Sequence, residues 1–329
     1  MKKTNFLWSL LTLLMVGVMS FTLVSCSSDD DGGNTPPPSG SGGLVSTVIP
    51  DEDWSGDMQN GTATYVPYAA EDDEDIMPYY AFNFKDGTCT EAVFDIVCPN
   101  EQFAKMLEQA FKDGSWTIMG DDDDDDDDYD DYDDYDNYAY RSKAFSANMR
   151  SHLKAMTRAA SDINLRDLAL PVKRSGKVLY FYIDCLKGLN GADVKELVNR
   201  WSGMSYDTPT KVLVGNYNEA TGRYTCNKMH GIDVKYEINT TYENNLLKTY
   251  VTNVTFPNRT WAQMMYENLE EQNSSLGSYF GVYPEATISG NKVTENAVVI
   301  GDVTKEQTLE MIAYIDQLNS QPIYTFFAD

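Results

Sequence analysis

Eight consecutive aspartates, Asp121, Asp122, Asp123, Asp124, Asp125, Asp126, Asp127 and Asp128, precede Asp130, Asp131 and tyrosines at 129, 132, 135 and 138. Carboxylates are what hard cations take as ligands, since Ca²⁺ prefers about six to eight oxygens. The segment lacks the glycine and terminal glutamate of an EF-hand loop, so Ca²⁺ binding here is expected to be multivalent and weak. Adjacent charges repel, and the insert from 120 to 140 is therefore expected to be disordered without counterions. A solvated low-complexity loop is the plainer reading. The next stretch has the opposite sign: residues 141 to 177 hold nine Lys or Arg against Asp162 and Asp167. Within it Lys143 to Ala159 has helical patterning, with Phe145, Met149, Leu153 and Met156 on one stripe and Arg150, Lys154 and Arg158 on another. Such a basic face suits the acidic insert at low salt, an acidic glycan or lipid head groups, beside plain solubility.

Other candidates for chemistry are sparse. No Gly-x-Ser-x-Gly elbow, His-Glu-x-x-His, Walker loop or dinucleotide fingerprint occurs. The two histidines are His152 and His230. Cys226 and His230 form a Cys-x₃-His pair, half of a zinc site or a nucleophile with its base, but their neighbours Asn227, Lys228 and Gly231 read as a turn. Asp51, Glu52 and Asp53 beside Trp54 are a candidate sugar-facing patch. Two carboxylates for glycoside hydrolysis need meet only in space, so the sequence leaves that chemistry open.

The elements that must carry these residues show a faint repeat. Residues 84 to 111 lie on 242 to 269 without a gap: Val93 on Val251, Ile96 on Val254, Pro99-Asn100 on Pro257-Asn258, Phe103 on Trp261. Lys85-Asp86-Gly87 and Glu243-Asn244-Asn245 are tight-turn chemistry between strand-like runs. Asn100 and Asn258 are placed to cap the helices that follow. In the first of these, Phe103, Met106, Leu107, Ala110 and Phe111 make an apolar stripe. Val178 to Ile183 and Ala297 to Ile300 read as strands. Helices follow at Val194, Leu197, Val198, Trp201 and at Leu309, Ile312, Ile315, Leu318, the second opened by a Thr304–Gln307 capping box. Last strands are expected at Lys211 to Val214 and Ile323 to Phe327. The expected fold class is α+β: two copies of an antiparallel-sheet-plus-helices unit, β-β-α-β-β-α-β, packed as one pseudo-symmetric body. The copies span 47–216 and 217–329.

Composition bounds the function. With 42% hydrophobic residues the chain can build a core, and a net charge of −26 argues against nucleic acid as a partner. Thirteen aspartates between 121 and 136 account for half of that excess. Cys89 and Cys98 flank one strand-like run that would hold them ~30 Å apart, so they read as free buried thiols, and their counterparts Leu247 and Phe256 are apolar.

The start of the chain carries an address. Lys2 and Lys3 precede an apolar run from Phe6 to Val18, too short for a membrane span of ~20 residues, and Leu23-Val24-Ser25-Cys26 closes it. This resembles the lipobox of bacterial lipoproteins. The resemblance implies a signal peptide over 1–25 and a diacylated Cys26 as the mature N-terminus. Ser27-Ser28-Asp29-Asp30-Asp31 resembles the surface-export signal of lipoproteins from the Bacteroidota, which implies attachment to the outer membrane, facing the exterior. Residues 26–46 form the lipidated terminus and a Pro/Gly/Ser-rich tether. The expected partners are the membrane, through the lipid anchor, and a glycan or protein at the cell surface. No cofactor other than Ca²⁺ is suggested. The reading is a non-enzymatic surface lipoprotein with a binding or envelope-structural role. The alternative is a surface glycan hydrolase with a carboxylate pair.

Overall fold

A computed structural model describes residues 44–46, 53–67, 76–117, 164–202, 207–276 and 282–328. Residues 1–43, with the expected signal, Cys26 and most of the tether, together with Asp51 and Glu52, the acidic insert and the basic segment from 141 to 163, lie outside these residues.

Among the described residues, two antiparallel six-stranded sheets and four helices make an α+β body. The first sheet takes β1 (Asp53–Gly56), β2 (Thr62–Val66), β3 (Met77–Lys85), β4 (Thr88–Val97), β5 (Lys173–Ser175) and β6 (Val178–Tyr182), in the order β1-β2-β3-β4-β6-β5. The second takes β7 (Asn216–Asn218), β8 (Arg223–Met229), β9 (Ile232–Glu243), β10 (Leu246–Thr255), β11 (Val282–Ser289) and β12 (Lys292–Val299), in the order β7-β8-β9-β10-β12-β11. The helices are α1 (Glu101–Asp113), α2 (Gly191–Trp201), α3 (Arg259–Leu276) and α4 (Lys305–Asn319).

Both expected hairpins form. Asp86 and Gly87 turn β3 into β4 with φ of 50° and 73°, and Asn244 and Asn245 turn β9 into β10 with φ of 52° and 65°. Left-handed backbone at both central positions matches the right-handed twist of the strands, which is why Asn, Asp and Gly stand there. Each hairpin then runs through a proline to a capped helix: Asn100 Oδ1 accepts from Phe103 N–H at 2.9 Å and Asn258 Oδ1 from Trp261 N–H at 3.1 Å. The capping box of α4 is present in both directions, at 2.9 and 3.3 Å. Gly114 ends α1 at φ 80°, where any side chain would collide with the Leu165 carbonyl.

Three expectations require correction. Met106 is half exposed, and α1 instead buries Ala104, Leu107, Ala110 and Phe111, each large one contributing ~2 kcal/mol. Residues 211 to 214 form no strand, because the carboxylate of Asp316 takes the amides that a ladder would need: Leu213, Val214 and Gly215 donate to it at 2.7, 2.9 and 2.6 Å. Ile323–Ala328 is a 3₁₀ segment rather than a strand, since Thr325 folds its amide back onto the Pro322 carbonyl at 3.0 Å.

One continuous apolar core joins the two sheets and four helices. The final turn crosses between halves: Tyr324 stacks on Phe181 of β6 at 4.2 Å and donates its hydroxyl to the Tyr182 carbonyl at 2.8 Å. Trp201 at the end of α2 donates its indole N–H to the Gln317 carbonyl of α4 at 2.9 Å. A smaller cluster lies on the opposite face of the first sheet, where Leu44 packs with Val66, Met77, Tyr79, Ala81, Val93, Val97 and Val178. No helix among the described residues is long and apolar enough to cross a membrane.

Candidate functional site

Across the back of the first sheet runs a row of polar residues in direct register. Tyr79 of β3 pairs with Asp95 of β4, Asp95 with Tyr180 of β6, and Tyr180 with Lys173 of β5. The row has a buried end and an open end. Asp95 is fully buried, and neither carboxylate oxygen has a hydrogen-bond partner among the described residues. Burial pushes its carboxyl up to about 8, with Tyr79 opposing the shift. The Tyr79 hydroxyl is engaged elsewhere, accepting from Ser46 N–H at 3.1 Å and donating to Ser46 C=O at 3.0 Å.

At the open end Tyr182 is 36% exposed, one residue pair further along β6. The Lys173 ammonium lies 4.6 Å from its ring centre and that of Lys187 5.6 Å away. Tyr180 meets the same ring edge-on at 5.9 Å, which fixes its tilt. Lys187 is also paired with Asp184 at 2.8 Å. A partly exposed tyrosine ring with two ammonium groups within 6 Å can contact a sugar while the cations meet a carboxylate or sulfate.

The residues that the sequence singled out for catalysis are placed otherwise. Cys226 is buried, with its thiol on the Lys228 carbonyl at 3.2 Å. His230 sits in the following turn at φ 52°, and its Nδ1–H donates to the Gln321 carbonyl at 3.0 Å. Burial lowers the imidazole's affinity for a proton and raises the Cys226 thiol to about 11, so neither thiolate nor imidazolium is favoured at neutral pH. The other thiols behave alike: Cys89 and Cys98 rise to about 11 and Cys185 to about 12 through burial, and all four are unbridged. No group of three His, Cys, Asp or Glu arranged for a metal occurs among the described residues. Trp54 is no open sugar platform. Its ring packs on Tyr65 at 4.8 Å and Phe82 at 5.5 Å, its N–H donates to Asn199 at 2.7 Å, and the Lys195 ammonium lies 5.6 Å from its centre. Asp121, Asp122, Asp123, Asp124, Asp125, Asp126, Asp127, Asp128, Asp130, Asp131 and Cys26 lie outside the described residues.

Family models, curated proteins and solved structures were compared, and none matches the chain.

A second buried carboxylate went unnoticed in the sequence. Glu295 of β12 is 3% exposed, lines a cavity of about 10 Å³ with Tyr236, Thr252, Val254, Met265, Leu269 and Val293, and is pushed up to about 8 by burial. A space of that size admits about one water. Glu295 and Asp95 belong to different sheets and point into different surroundings, so they are two isolated acids. Both were signalled in sequence: Asp95 interrupts the apolar run Val93 to Val97, and Glu295 occupies the apolar phase of the alternation Val293, Ala297, Val299.

Proposed function

We propose that the chain is a lipid-anchored protein of the outer-membrane surface, non-enzymatic, whose α+β body binds an acidic glycan or a protein partner. The observation that carries the binding role is the exposed Tyr182 ring set between Lys173 and Lys187. The anchor rests on Leu23-Val24-Ser25-Cys26, and the outward orientation on the Asp29-Asp30-Asp31 run behind it. A stacking aromatic flanked by cations recognises a charged sugar without a nucleophile or an acid–base pair. Glycan-panel binding by the soluble body is the test. Tyr182→Ala is expected to lower affinity for uronate- or sulfate-bearing chains by about tenfold, while the fold survives because the residue is at the surface. Unchanged affinity in the variant contradicts the site, and release of shorter sugars contradicts the non-enzymatic reading.

The body is read as a duplicated unit. Supporting this are the matching strand orders, two hydrogen bonds and one isolated bridge that recur in the two halves. Cys89 N–H donates to Leu189 C=O at 2.8 Å and Leu247 N–H to Val303 C=O at 2.7 Å. Cys98 N–H likewise meets Lys177 C=O at 3.0 Å, as Phe256 N–H meets Asn291 C=O at 2.9 Å. Isolated bridges join Thr88 to Asn190 and Leu246 to Thr304, each where a hairpin meets the cap of the half's second helix. Asp121 to Asp131 are read as a weak multivalent Ca²⁺ ligand. Millimolar Ca²⁺ is then expected to slow protease cleavage between residues 120 and 140; cleavage indifferent to Ca²⁺ contradicts it.

A further inference from the structure

The two sheets fill the same place in the core with different chemistry. In the first, Tyr80, Phe94 and Phe181 lie in register across β3, β4 and β6, and Phe111 of α1 closes on Phe181 edge-on at 5.1 Å. In the second, Ile238, Thr252 and Glu295 hold the corresponding places on β9, β10 and β12. Leu269 of α3 stands where the repeat puts Phe111. A hydroxyl and a carboxyl thus take the places of two rings, and both line the cavity of about 10 Å³ together with Met265 and Leu269. A buried carboxyl without a partner costs free energy that an aromatic ring in the same place does not. A polar ligand in the space would recover it.

The lining decides which ligand fits. Three of its side chains carry oxygen, Tyr236, Thr252 and Glu295, and the rest of the wall is apolar. Ca²⁺ takes about six to eight oxygens, more than these side chains provide. A primary ammonium has three N–H donors and a fourth valence for carbon, which suits three oxygens set in an apolar wall. Its head is also about the size of the one water that the cavity admits. Glu295 Oε1 has no hydrogen-bond partner among the described residues, so this acceptor is open. Among the lining residues only Met265 is partly exposed, and the way in runs past its flexible thioether.

We propose that this cavity binds the primary ammonium of a small unbranched alkylamine, with the Glu295 carboxylate as counter-ion, Thr252 and Tyr236 as further oxygens and Met265 at the entrance. On binding, the Glu295 proton leaves to solvent and an N–H of the ammonium takes its place on the carboxylate. Burial alone holds that proton up to about 8. The neighbours bring no charge to change this: Thr252 faces Glu295 from β10, Ala286 from β11, and Met265 and Leu269 from α3. The phenols of Tyr236 and Tyr250 are pushed up by burial and stay protonated. Removing the proton is therefore the cost that rising pH relieves, and affinity climbs with pH and levels off above about 8.

Titration of the full chain with n-propylammonium, followed by NMR at the amides of Leu269 and Val293, tests the site. The control is 1-propanol, of similar shape and without charge. Saturable shifts with the amine alone are expected, with affinity more than about tenfold higher at pH 8.5 than at pH 6. Glu295→Gln keeps the shape and is expected to bind at least about tenfold more weakly, with no such pH dependence. Should that variant not fold, Met265→Phe narrows the entrance and leaves the acid, and it too is expected to lose binding. No saturable shift in the wild type, equal shifts with 1-propanol, affinity independent of pH, or wild-type affinity in either variant overturns the proposal and leaves the space to a water.

Discussion

Glu295 shows how a single carboxyl can make stability depend on pH without taking part in chemistry. It is buried beside Tyr236 and Thr252 with Oε1 unpaired among the described residues, and holds its proton up to about 8. A folded-state value above the unfolded one means that the neutral acid's contribution is complete below about pH 4 and lost as pH rises to 8. Glu295→Gln keeps the shape and removes the titration. It is expected to be more stable than the wild type at pH 8 by on the order of 2 kcal/mol, with the advantage vanishing by pH 4.5. Urea unfolding at the two pH values measures this, and equal differences at both would show that the side chain is solvated. The identity of such residues was legible in the alternation of β12. Their consequence was not, because a glutamate on the apolar phase can equally find a buried cation, and only packing shows that it did not.

At the scale of elements, local signals carried well and distant ones failed. Turn residues, proline stops and Asn caps act within four residues of themselves, so both hairpins and the helices behind them were predictable. Lys211 to Val214 reads as a strand in the sequence, whereas the conformation of residues 213 to 215 is set by Asp316, about a hundred residues away. That carboxylate accepts Leu213, Val214 and Gly215 amides and, at 2.7 Å, the Tyr224 hydroxyl. It thereby fastens the connection between the two sheets to α4. Asp316→Ala leaves three amides and a buried phenol without their acceptor. We expect it to cost about 3–5 kcal/mol, measured by chemical denaturation, with earlier hydrogen exchange at residues 213 to 215. A loss below ~1 kcal/mol would mean that water replaces the carboxylate. The Tyr–Lys surface shows the same division: Tyr180, Tyr182 and Lys173 stand in the sequence, but their register across β5 and β6 needs the sheet.

On the scale of the whole molecule, two six-stranded sheets share a core, while charge is concentrated in the segment from 121 to 136. The body offers a Tyr–Lys surface, and its cysteine thiols and His230 are held in unreactive, buried states. The proposed address rests on the apolar run ended by Cys26 and followed by aspartates. Protease treatment of intact cells, followed by mass spectrometry of the peptides left in the membrane fraction, joins these claims in one measurement. The account predicts loss of the body from the cells and a retained peptide that begins at Cys26 and carries the mass of its acyl chains. A body that survives on intact cells, or an N-terminus elsewhere without acyl mass, would contradict it.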